Sequence, residues 1–271
     1  YRIAAACEEL GYRTDNPKVD CVLLTGRTPV AEPWMDKATK LVWLEDEKLY
    51  TWLGLMNREP VADYEREMAQ QGRQNHLENL HEVDGIVAEC QQYLPMLETL
   101  TTKPIRYLPL NVGAMAPFRK LEVERVYDVG FFGHKTEWRD KKIQELGEHF
   151  NVVAFDPEYD HEKVNLFFNR CKVVVNFHAY PEPTMVERRI AEAMSAGSCV
   201  VTERLPEGHP YPHDCLVETD DMVAAITGLL ENDEEREAIA ARGYRWIWSR
   251  SPFLWRVEKI LEFAEDLRHK N

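Results

Sequence analysis

The stretch Glu187 to Glu203, ERRIAEAMSAGSCVVTE, starts a helical pattern on two arginines and ends it on a glycine and an apolar run. A helix N-terminus carries unpaired amides and about half a positive charge. Arg188 and Arg189, in the first turn of a helix expected to begin near Val186, therefore oppose their own helix. A phosphate bound at that end would remove the conflict. Arg189 and Glu192 stand three residues apart, so they share a helix face. Glu192 runs into small residues that imply close packing, and a buried carboxylate needs a partner. Two readings stand: Arg189 and Glu192 form an internal ion pair with Arg188 a solvated charge, or these residues face a ligand. Gly197 ends the helix and lets the next strand turn in closely.

A second group follows the run YDVGFF. Gly133 closes that strand, where a small residue lets backbone approach a phosphate, and His134, Lys135 and Arg139 cluster after it. Lys135 reads equally as a plain loop charge. His178 ends the run VVVNFH, at the C-terminal strand end where α/β folds place ligands. It reads either as a ligand contact or acid–base group, or as a capped structural histidine.

The elements that must hold these residues alternate. VDCVLLTG, TKLVWLED, VDGIVAEC and PIRYLPLNVG read as strands, with helices expected over residues 1–14, from Asp63 to about Leu80, and in YLPMLETL. A charged connector, RKLEVERV, follows Pro117. Strands then recur at YDVGFFGH, NVVAFDP, KVVVNFHA and SCVVTE, separated by DKKIQELGEHF, HEKVNLFFNRC and VERRIAEAMSAG as helices. DDMVAAITGLLEN, EEREAIAARGYRWIWSR and SPFLWRVEKILEFAEDL close the chain as helices, the last with Leu254, Val257, Leu261 and Phe263 or Ala264 on one face. This alternation predicts an α/β fold of two Rossmann-like doubly wound domains with parallel sheets, ligands binding in the cleft between them. The expected boundaries are 1–114, 115–250 and a C-terminal helix over 251–271 that crosses back to the first domain.

Composition limits the chemistry. The 271 residues carry a formal net charge of −14, so phosphate-backbone attraction to nucleic acid is a poor default. No run of about 18 apolar residues is present. The chain opens inside what reads as a helix, which suggests that a first strand lies upstream. Its six cysteines form no CxxC, so neither zinc nor a dithiol motif is suggested; buried free thiols fit a reducing, cytoplasmic setting.

Residues 127–256 resemble GT-B glycosyltransferases, more narrowly the family-four type and its CgeB-like relatives. The resemblance rests on YDVGFFGHKTEWR, CKVVVNFHAY, ERRIAEAMSAGSCVVTE with its Arg-x-x-Glu-Ala-x-x-x-Gly signature, and LVETDDMVAAITGLLENDEEREAIAARGYRW. It implies transfer of a sugar from a nucleotide-sugar donor, a UDP-sugar first, without a metal or other cofactor. The acceptor is open: a glycan, a small molecule or a modified nucleobase. Glu192 would accept hydrogen bonds from the ribose hydroxyls. Arg139 and Lys135 would neutralise the diphosphate, with Gly133, His134, Arg188 and Arg189 lining it. Residues 179–185, with Thr184 and Met185, would form the donor loop, and His178 would stand near the sugar as a catalytic group.

The sequence departs from the family in one place. Retaining family-four enzymes carry a glutamate eight positions before the ribose glutamate, and here that position is Thr184. That departure favours one alternative, an inactive nucleotide-sugar-binding module; two others stand beside it, a DNA-base glycosyltransferase of the phage type and a sugar-nucleotide epimerase, for which no convincing acid–base set is present.

Overall fold

The computed structural model describes residues 21–25, 38–44, 80–89, 94–108, 114, 117–155, 160–179, 181, 188–206, 209–249 and 252–269. The chain divides into two compact units, residues 1–110 with 253–271, and residues 111–252.

In the first unit, β1 (Cys21–Thr25), β2 (Thr39–Leu44), β3 (Gly85–Ala88) and β4 (Ile105–Tyr107) pair in parallel in that order. The apolar run of β3 is buried throughout, as a parallel strand covered on both faces must be. Helix α1 (Leu94–Leu100) precedes β4. Ile260, Phe263, Ala264 and Leu267 of the final helix, here α7 (Pro252–Arg268), pack with Leu41, Val87 and Leu108. A Cβ at Gly85 would lie 2.7 Å from Leu267 and 2.9 Å from Phe263, so this glycine gives the helix its seat. The buried stripe runs through Val257, Ile260, Phe263, Ala264 and Leu267. The expected stripe is thus corrected at Leu261, which is only half-buried and sits at the edge of the face. The Leu254 side chain and the helices read at 1–14 and before Leu80 lie outside the described residues.

The second unit holds a parallel sheet in the order β6-β5-β7-β8-β9: β5 (Tyr127–Phe132), β6 (Val152–Phe155), β7 (Cys171–Asn176), β8 (Cys199–Thr202) and β9 (Val217–Glu218). This is the doubly wound order in which direction reverses between the first and third strands, so a crevice opens beyond the C-terminal ends of β5 and β7. Helices α2 (Glu137–Gly147), α3 (His161–Asn169), α4 (Arg188–Ser195), α5 (Met222–Glu231) and α6 (Asp233–Trp248) complete the unit. Val173, Val175 and Phe177 pack with residues of α5 and α6, while Val174 packs with residues of α3 and α4. The alternation along β7 thus feeds two cores.

Local chemistry sets the helix ends. Thr136 caps α2 by accepting from the Arg139 amide at 3.2 Å, so the helix starts upstream of the expected DKKIQ run. Gly197, at φ +76°, terminates α4 with Ser198 N–H donating to Ala193 O (2.9 Å) and Gly197 N–H to Met194 O (3.0 Å), a Schellman closure.

The connector after Pro117 is tied to this unit. Arg119 N–H donates to Asn165 Oδ1 (2.9 Å) and Leu121 N–H to Asn169 Oδ1 (2.7 Å). Arg125 donates to the carbonyls of Cys171 (2.6 Å) and Gly197 (2.9 Å).

Candidate active site

Two arginines meet beyond the C-terminal ends of β5 and β7, at the carbonyl of Phe177. Arg139 comes from α2 and Arg189 from α4, and both are buried. Arg139 Nε donates to the carbonyl of Phe177 at 3.1 Å and its Nη1 to the carbonyl of His134 at 3.0 Å. Arg189 Nη1 lies 3.5 Å from the same Phe177 carbonyl. Both guanidinium groups also lie over the ring of Phe131, at 5.7 and 4.8 Å. Carbonyl oxygens and a ring face both attract a guanidinium and help to fix its position.

Gly133 makes the convergence possible. Its φ is +148°, and a Cβ there would sit 2.9 Å from Arg189 Nη2. The glycine read as an approach point for phosphate is thus an approach point for a guanidinium. His134 and Lys135 follow it on the exposed loop. Thr136 Oγ1 donates to the carbonyl of Ala179 at 2.8 Å and joins this loop to the one after β7.

On α4, Glu192 is buried and Arg188 is half-exposed; Arg188 Nε meets Glu192 Oε1 at 2.9 Å. The ion pair identified at this carboxylate therefore uses Arg188, the residue read as a solvated charge. The turn of the helix places i and i+4 on one face, as it places i and i+3. Burial pushes the Glu192 carboxyl above its ordinary value, against the opposing pull of Arg188, Arg189 and His161.

His178 is buried beyond β7. Its main-chain N–H donates to Glu203 Oε2 at 2.8 Å, and its ring Nε2 stands 2.8 Å from the carbonyl of Arg204. A carbonyl only accepts, so Nε2 carries a proton and any acid–base role falls to Nδ1. Glu203 also accepts from Trp138 Nε1 at 3.1 Å, so one carboxylate clamps α2, the turn after β7 and the end of β8. Sequence reasoning missed Glu203, Trp138 and Thr136; the Thr-Glu step before an α2 pattern was the available signal for Thr136. Thr184, Met185 and the expected helix start at Val186 lie outside the described residues. Among the described residues, no three His, Cys, Asp or Glu side chains gather as a metal site. None of the described helices is long and apolar enough to cross a membrane.

Solved structures share this fold. Sucrose-phosphate synthase from Thermosynechococcus elongatus superposes with a TM-score of 0.59 at 12% identity, over 98% of this chain and 76% of its own. Anabaena HepE in complex with UDP-glucose gives 0.58 at 13%, over 85% and 73%. The DNA-modifying β-glucosyltransferase, solved with and without uridine diphosphoglucose, gives 0.53 at 9%, over 99% and 92%. No curated protein sequence matches. The fold is that of the GT-B glycosyltransferases. The chain belongs to the Glycosyl transferase-like family, whose model matches residues 115–262.

Proposed function

We propose that the second unit binds a nucleotide-sugar donor, a UDP-sugar first, at the β5–β7 crevice and transfers the sugar to an acceptor. The observation that carries this reading is the meeting of Arg139 and Arg189 on the Phe177 carbonyl. Guanidinium groups from two helices that converge on one carbonyl can each donate to the oxygens of a diphosphate. As the bond from the anomeric carbon to the diphosphate oxygen breaks, negative charge develops on the leaving nucleotide. Arg139, Arg189, Lys135 and the amides at the start of α4 stabilise it. Gly133 and His134 shape the phosphate side.

Glu192 accepts from the ribose hydroxyls. A carboxylate offers about four lone-pair sites, so Arg188 on one oxygen leaves capacity for a diol. The family resemblance assigns Thr184 and Met185 to the donor loop, and His178 supplies Nδ1 for the sugar. The likeness to HepE, which was solved with UDP-glucose, favours uridine as the base. Helix amides and side-chain cations do the work here without a metal or other cofactor.

A second reading, a nucleotide-sugar-binding module without transfer activity, is favoured by Thr184 at the position of the family's first glutamate. The test is thermal stabilisation by UDP, GDP, ADP, CMP and their sugars, for wild type and Glu192→Ala. A ligand at 100 times its Kd stabilises by about 2.7 kcal/mol. A shift confined to one base and lost in the variant supports the donor site; no shift with any nucleotide overturns it. Release of free sugar from the donor then separates the enzyme from the inactive module.

A further inference from the structure

The peptide group between Phe177 and His178 is held at both ends. Its carbonyl accepts from Arg139 Nε at 3.1 Å and lies 3.5 Å from Arg189 Nη1. Its N–H donates to Glu203 Oε2 at 2.8 Å. The bond is trans, so the N–H and C=O point in opposite directions within one plane. Glu203 therefore stands on one side of this peptide and the guanidinium groups on the other.

Strand pairing brings the carboxylate there. β7 and β8 keep parallel register as far as Asn176 and Thr202, and Glu203 N–H donates to Asn176 O at 3.3 Å. One step further along such a ladder, the His178 amide would donate to the main-chain carbonyl of Glu203. That carbonyl accepts from Thr202 Oγ1 at 2.9 Å, and the Glu203 side chain takes its place in the ladder. A carboxylate is the stronger acceptor: hydrogen bonds to an ionised group are about twice as strong as neutral ones. Charge on the N–H side also polarises the C=O of the same peptide and strengthens the bonds that oxygen accepts. The carboxylate is itself held, because Trp138, the neighbour of Arg139 on α2, donates its indole N–H to Oε1 at 3.1 Å.

We infer that Glu203 is a positioning residue for the arginine pair. Its charge orients and polarises the Phe177–His178 peptide, and the carbonyl of that peptide fixes the two guanidinium groups. The consequence for donor binding rests on the function proposed above; the link from Glu203 to the arginines does not.

The test uses the whole protein, as wild type and as Glu203→Gln, which keeps an oxygen for the His178 amide and removes the charge. In ¹H–¹⁵N spectra without ligand, the His178 amide proton should move upfield in the variant, and the Arg139 Hε resonance should move with it. Trp138→Phe removes the second donor to the carboxylate. The two resonances should move together there as well, which keeps the test open if Glu203→Gln folds poorly. Titration calorimetry with UDP should show about fivefold weaker binding in Glu203→Gln, the worth of one hydrogen bond. In an Arg139→Met background the same substitution should cost about twofold or less, because Glu203 acts through the arginines. A purely structural loss would cost the same in both backgrounds, and that result overturns the inference. So does an Arg139 resonance that does not move when the His178 amide does. Wild type that binds no UDP overturns the donor reading alone, and the paired resonances then decide the link from Glu203 to the arginines.

Discussion

Arg139 and Arg189 arise from different helices and share one acceptor, the carbonyl of Phe177, and one ring, Phe131. Each is placed by the other's anchor. Replacing either with Met should weaken UDP binding by about 10- to 100-fold, the worth of a hydrogen bond to a charged group. Titration calorimetry on both single variants and the double variant checks this. Because the two cations act on one ligand, the double variant should lose less than the sum of the singles.

Gly133→Ala tests the opening beside Arg189. The new methyl would stand against the guanidinium in a backbone conformation that side chains rarely adopt, at φ +148°. We expect a stability loss of about 1–3 kcal/mol with weaker UDP binding. Gly228, in α5, is the control: a Cβ there meets nothing within 4 Å. Gly228→Ala should stabilise by about 0.5–1 kcal/mol with UDP binding intact. Denaturant melts of the two variants give opposite signs if the reading is right.

Glu192 sets function against stability. Its folded pKa is raised by burial, so the native state holds this proton more tightly than the unfolded chain does. Ionised Glu192 therefore costs stability above its folded pKa, and that cost is relieved as pH falls towards 4.5, the ordinary value. Glu192→Gln should melt higher than wild type at neutral pH, with the gain shrinking in acid, while its affinity for UDP-glucose drops. Wild-type affinity should fall on acidification through the raised pKa, and the Gln variant should be flat there. UDP-glucose is the right probe because its diphosphate diester does not titrate in this window.

Cys171 and Cys199 are free and buried, and burial pushes both thiols up to about 12. Thiolate is the reactive form, so neither should label with a disulfide reagent at pH 8 until the unit unfolds. The unfolded thiols ionise near 9.0, so the protein should lose stability progressively as pH rises from there towards about 12. Alkaline melts of Cys171→Ala and Cys199→Ala should be less steep than wild type.

The strand–helix alternation was legible because buried parallel strands and their covering helices repeat apolar runs at distinct lengths, and β5 to β8 fall on those runs. β9 has two residues, too few for any period to register. Gly133, Arg139, Arg189 and Glu192 could be singled out by type and spacing. The features that hold them could not: a main-chain carbonyl at Phe177 has no side-chain signature, and Phe131 looks like any core aromatic. Glu203 reaches His178 across 25 residues of sequence, a proximity that only the pairing of β7 with β8 creates. The choice of Arg188 over Arg189 at Glu192 depends on side-chain direction along a helix whose two candidate spacings are nearly equivalent.

The charged run after Pro117 looks like a tether and is stitched down like a hem. Asn165 and Asn169 hold it through backbone amides, and Arg125 spans the carbonyls of Cys171 and Gly197. Anyone cutting the chain to prepare the second unit by itself should cut upstream of Phe118, a fully enclosed ring in that unit's core. A cut placed inside the run would discard part of the folded body along with the apparent slack.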